Sequence, residues 1–142
     1  KAFWDTARHS SSPLVATHSN AHTLCPQPRN LTDRQLLAIR DSGGVAGVNF
    51  GNAFLRTDGK RDSDTPLSTI VRHIDYLINI MGDDHVALGS DFDGITLPDD
   101  LHDVSGLPRL ISALRDSGYD QFVLNKLLWG NWQKVLQNVW QQ

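Results

Sequence analysis

Apolar and polar positions follow two rhythms along this chain, and the switches between them mark out its elements. Three short runs are almost wholly apolar and rich in valine: Leu14-Val15-Ala16-Thr17-His18, Gly44 to Phe50 (GVAGVNF) and Val86 to Asp91 (VALGSD). Such runs predict strands buried on both faces of a sheet. Elsewhere apolar positions recur every three or four residues, which predicts helices. Thr32 and Gln35 have capping-box spacing, Leu36, Leu37 and Ile39 follow, and Gly43 stands where that helix would end. Thr65-Pro66 opens the next, with an apolar stripe of Leu67, Ile70, Val71, Ile74, Leu77, Ile78 and Met81 before Gly82. Leu107, Leu110, Ile111 and Leu114 predict a helix closing at Gly118, and Val123, Leu124, Leu127 and Leu128 another closing at Gly130. Trp132, Val135, Leu136, Val139 and Trp140 predict a last one, and Phe3, Trp4 and Ala7 mark a helix leading into the first strand.

The order α-β-α-β-α-β-α-α-α, with no linker, repeat or low-complexity tract, predicts an α/β fold with parallel strands over residues 1–142. Such strands build either an open doubly wound sheet or a closed barrel. A barrel takes eight strands and about 250 residues. Only three strands are legible, so in the barrel reading residues 1–142 form one partial domain, and the rest of the barrel lies outside the chain. The opening Lys1 and the lone methionine, Met81, fit that expectation, since residue 1 does not read as a translation start.

Composition narrows the partners. With 39% hydrophobic and 20% charged residues the chain is an ordinary globular one, and its net charge of -3 argues against nucleic acid. No apolar run approaches the roughly 20 residues of a membrane span. The single cysteine, Cys25, excludes an internal disulfide. The compartment, cytoplasmic or exported, is left open, as is a homodimer.

In a β/α barrel the chemistry sits at the carboxyl ends of the strands. That rule selects His18, Asn49 and Asp91. His85 precedes its strand and belongs to the opposite rim, while His9 and His73 lie on helices. A lone strand-end histidine is either a hydrogen-bonded structural residue or a metal ligand. Ser90-Asp91-Phe92-Asp93-Gly94 offers two carboxylates and a turn. It reads as an Asx-turn or a site, and poorly as a calcium loop, which needs a third acidic position and a distal glutamate. Pro26 and Pro28 stiffen the loop that carries Arg29, whose planar fork suits a carboxylate. Cys25 reads as a small buried hydrophobe, and Asn30-Leu31-Thr32 has the form of a glycosylation sequon in which Thr32 is better used as a helix cap.

The stretches THSNAHTLCPQPRNLTDRQL, GGVAGVNF, VALGSDFDGI, LHDVSGLPRLISAL and GNWQKVL, in this order, resemble the C-terminal part of the membrane (renal) dipeptidase family of zinc peptidases. The resemblance implies about strands six to eight of a TIM-type β/α barrel of the metal-dependent hydrolase kind. It also implies hydrolysis of dipeptides at two zinc ions that share a bridging glutamate and a water or hydroxide. It assigns His18 as a zinc ligand and Arg29 as the residue that engages the substrate's carboxylate. Asp91 would contact substrate and move the proton. His22, Asn49, Phe50, Asp93 and His102 would shape the pocket. The family's other metal ligands have no counterpart here, so the resemblance implies a segment that is inactive without the N-terminal part of the barrel. Two other readings stand beside it: a non-hydrolytic relative that keeps the barrel as a binding or maturation module, and an open α/β interaction domain in which His18 and Asp91 are structural.

Overall fold

In a computed structural model, which describes residues 1–140, three parallel strands lie side by side in chain order. They are β1 (Val15–Ala16), β2 (Val45–Asn49) and β3 (Val86–Ser90). Val15 pairs with Val45, and Ala46, Gly47 and Val48 pair with Val86, Ala87 and Leu88. This unreversed order is that of successive β/α units around a barrel, and it contains no switch point of a doubly wound sheet. Helices α1 (Ala2–His9), α2 (Asp33–Asp41), α3 (Asn52–Leu55), α4 (Leu67–Met81), α5 (Leu107–Asp116), α6 (Gln121–Asn125) and α7 (Asn131–Trp140) complete the order. None of the described helices is long and apolar enough to cross a membrane.

Local signals placed the helix ends. Thr32 and Gln35 form both hydrogen bonds of a capping box on α2. Gly43, Gly82 and Gly118 adopt the positive φ that ends α2, α4 and α5. Every residue of β2 is buried. Its side chains alternate between two clusters. Ala46 and Val48 join Leu36, Ile39, Ile70, Ile74 and Leu77 in the main core, whereas Val45 joins Ala87, Val135 and Trp132 in a smaller one. His85 Nδ1 lies 2.8 Å from Gly44 O at the amino-terminal ends of the strands, in a structural role.

Three expectations need correction. The first strand is only Val15–Ala16, and Val15 is 44% exposed, because β1 has a neighbour on one side only. The short helix α3 was hidden by the strand-like run before it. Gly130 does not close a helix: α6 runs through a π turn (Lys126–Gly130) directly into α7, with Asn131 N–H donating to Lys126 O five residues back. This turn carries the buried face from Leu124 and Leu127 in the main core to Val135 in the smaller cluster. It also aims Asn131 Nδ2 at Val86 O (2.7 Å) and Trp132 Nε1 at Leu88 O (2.9 Å), two carbonyls of the edge strand β3.

Candidate active site

Beyond Ala16 the chain leaves the β1 ladder and leans across the sheet. A Cβ on either Gly47 or Gly89 would stand 2.2 Å from Thr17 O. Glycine at both positions therefore lets the residue before His18 lie over β2 and also over β3, two residues ahead of Asp91. His18 is half-buried. Its Nδ1 is 2.6 Å from Thr17 Oγ1, and its Nε2 meets Arg29 Nη2. Thr17 and Arg29 thus flank the two ring nitrogens of His18.

Arg29 projects from a loop that folds back on itself. Leu31 N donates to Asn20 O at 2.8 Å and His22 N to Leu31 O at 2.9 Å, while Asn30 Nδ2 donates to both Cys25 O and Phe54 O at 2.9 Å. Asn30 is only 4% exposed and is a buried structural amide, which removes it as a glycan acceptor. Cys25 is wholly buried, and burial pushes its thiol up, away from the nucleophilic thiolate.

Asp91 follows β3 in a left-handed conformation, φ 72°, after Ser90 at φ 34°. Non-glycine residues held there cost about 1–3 kcal/mol each, so surrounding contacts must hold them. Asn49 Nδ2 donates to Asp91 Oδ2 at 2.9 Å, and the built Cβ of Gly94 would stand 2.9 Å from Asp91 Oδ1. Arg29, Phe54, Arg61, Asp91, Asp93, Gly94, Ile95 and Thr96 line one cleft of about 590 Å³. The Arg29 guanidinium lies 5.8 Å from the centre of the Phe54 ring. Arg29 thus connects His18 to the cleft that holds Asp91 and Asp93.

The other pocket expectations distribute differently. Asn49 is wholly buried beneath the cleft and reaches it only through Asp91. Phe50, expected on the wall, is a core residue packed edge-to-face on Phe92 at 5.7 Å, because β2 continues its inward alternation through position 50. His22 does not line the cleft. His102 is exposed and pairs with Asp103 at 3.2 Å, because the 3-10 turn after Pro98 carries it outward. Arg61, Phe54 and Thr96 escaped the sequence reading, and so did the buried amides Asn20 and Asn30. Arg61 sits in a charged run that reads as solvated loop, and no periodicity marks the amides. Among the described residues no three His, Cys, Asp or Glu side chains gather to hold a metal ion. His18 offers one suitable lone pair, short of the roughly three protein ligands of a catalytic zinc.

The family model described as membrane dipeptidase (peptidase family M19) matches residues 1–142. An uncharacterized Klebsiella pneumoniae protein from the pqqA 5′ region is 84% identical over 142 residues, and this chain spans 52% of it. Dipeptidase ataJ of Aspergillus terreus is 36% identical over 138 residues, which cover 95% of this chain and 33% of that protein. A metallo peptidase from Rhodobacter sphaeroides, solved with a phosphinate mimic of the dipeptide L-Ala-D-Ala, superposes with a TM-score of 0.95 at 52% identity. The superposition covers 96% of this chain and 39% of that one. The chain spans about half the length of the first of these relatives and less of the others. It is the α/β strand-and-helix succession of part of a barrel-type domain, and it belongs to the membrane dipeptidase family, peptidase family M19.

Proposed function

We propose that these residues are one part of a zinc-dependent dipeptidase that hydrolyses the peptide bond of dipeptides at a pair of metal ions. The observation that carries the reading is Arg29, which touches His18 and also lines the cleft of Asp91. His18 would be one zinc ligand. The remaining ligands would come from the part of the relatives' length that this chain does not span, and these 142 residues alone would be inactive. When bound, zinc supplies a water acidic enough to attack at neutral pH and a Lewis acid for the carbonyl.

The chain's own residues do the rest. His18 would supply one imidazole nitrogen to the metal, and Arg29, beside it and lining the cleft, would hold the C-terminal carboxylate of the substrate. That contact sets the register of the peptide bond and restricts the site to short substrates. Asp91, with Oδ2 held by Asn49, keeps Oδ1 for the cleft, where it would accept the proton of the attacking water and pass it to the leaving amine. Asp93 and Arg61 extend the polar wall.

The test is hydrolysis of L-Ala-D-Ala by a polypeptide carrying the whole barrel, with and without zinc, beside its Asp91→Asn variant. Activity that zinc restores after chelation, and a loss of at least about a hundredfold in kcat for the variant with its zinc content kept, are expected. Wild-type turnover that survives complete metal removal would overturn the metal reading, and unchanged kcat in the variant would remove Asp91.

A further inference from the structure

Three asparagines form a buried chain beneath the cleft. Asn30 Oδ1 accepts from Asn20 N at 3.2 Å. Asn20 Nδ2 donates to Asn49 O and its Oδ1 accepts from Asn49 N, both at 2.9 Å. Asn49 Nδ2 donates to Asp91 Oδ2. Asn20 and Asn49 are wholly buried, and Asn30 nearly so. Buried amides are held by their partners, since an unmade hydrogen bond there costs about 1–3 kcal/mol. The chain begins beside Arg29 and ends on Asp91.

The orientation of the last link is determined. Gly51 N–H donates to Asn49 Oδ1 at 2.7 Å, so the amide cannot flip, and its NH₂ must face Asp91. With Oδ2 taken, Asp91 Oδ1 stands 2.9 Å from where a Cβ on Gly94 would lie, and both residues line the cleft. Ser90 and Asp91 need such an anchor, because their left-handed backbone disfavours the non-glycine residues found there. We infer that Asn49 is a positioning residue for catalysis: it never reaches substrate, and it holds the Asp91 carboxylate with one oxygen occupied and the other presented to the cleft. Through Asn20 and Asn30 the same amides hold the Arg29 loop at a fixed offset from that carboxylate. This inference rests on the role proposed for Asp91.

Two variants in the whole-barrel polypeptide test it. Asn49→Ala removes the anchor. Asn49→Asp keeps shape and the acceptor for Gly51 N–H but offers Asp91 a carboxylate instead of a donor. Folded sites are counted by titration with the phosphinate mimic of L-Ala-D-Ala, and kcat is expressed per site. Both variants are expected to lose at least tenfold in kcat, with KM for L-Ala-D-Ala kept within threefold. A destabilised but otherwise intact site would keep its kcat per folded site, and that result overturns the inference. Should Asn49→Asp fail to fold, the double variant with Asp91→Asn restores an amide–carboxylate pair of reversed polarity. It is expected to recover most of the lost melting temperature, and no recovery overturns the pairing. The melting comparison needs no turnover, so a wild type that cleaves no dipeptide would sink the functional reading while this measurement still decides the pairing.

Discussion

Acidification should loosen this protein through one buried histidine. His73 on α4 is wholly buried, with Nε2 3.0 Å from Leu55 O and Nδ1 3.3 Å from Ala21 N. The carbonyl must accept and the amide must donate, so the ring is the neutral Nε2–H tautomer. Burial pushes its pKa down from the usual 6.5 to about 4, with nearby Arg72 adding to the effect and the Leu55 hydrogen bond opposing it. The folded pKa lies below the unfolded one, so the unfolded chain binds the proton first. Stability from this group is complete above about pH 6.5 and is lost as pH falls toward 4. The loss comes to about 2 kcal/mol at pH 5 and levels off near about 3 kcal/mol below pH 4. Urea denaturation from pH 7.5 to 4.5 reads it, with His73→Gln as the comparison because glutamine can donate to Leu55 O without titrating. Wild type should lose about 2.5 kcal/mol more than the variant across that range. Equal losses would refute the reasoning. Arg56 holds the Asp58 carboxyl well below the usual range, and that pair, the same in wild type and variant, cancels in the comparison. Because the Nδ1 partner is Ala21, protonation breaks the contact between α4 and the loop that bears Arg29.

Other expectations bear on the site. Arg29→Ala should weaken dipeptides with a free C-terminal carboxylate by about a hundredfold in kcat/KM, a charge-assisted pair being worth roughly 1.5–3 kcal/mol, and should leave amidated analogues nearly unchanged; equal effects on both would contradict the clamp. Gly89→Ala places a methyl 2.2 Å from the backbone carbonyl of Thr17, which cannot turn aside, so a loss of about 1–3 kcal/mol is expected in denaturation. Gly94→Ala meets only the movable Asp91 carboxylate, at 2.9 Å, and should lower kcat with a stability change under about 1 kcal/mol.

The helices and the buried strands were legible because their signals are local. The Thr32–Gln35 box, the positive-φ glycines and the period of α4 each act within one or two turns of chain. The strand-end rule likewise brought out Asp91, and the proline-stiffened loop brought out Arg29, which lines the same cleft. What failed depends on distant partners. The π turn exists because Asn131 reaches Val86 and Asp83, residues 45 and 48 positions away, and a glycine at helical spacing gives no sign of it. The Asn20–Asn49 bonds span 29 residues, and an asparagine after a strand looks the same whether it is solvated or buried. Phe50 was placed on the pocket wall because it stands at the end of a strand-like run; it continues the inward alternation of β2 into the core and packs on Phe92, 42 residues on.

The π turn makes the chain unusually sensitive to length at one place. It accommodates one residue more than an α-helical turn would hold, and each residue in a helix advances the azimuth by about 100°. Deleting a single codon between positions 126 and 130 would convert the segment to ordinary α-helix. It would swing Asn131, Trp132 and Val135 off the sheet together, whereas the same deletion in an exposed turn would pass almost unnoticed. Frame-preserving indels should therefore be tolerated poorly there, even though neither Lys126 nor Gly130 lies near the cleft.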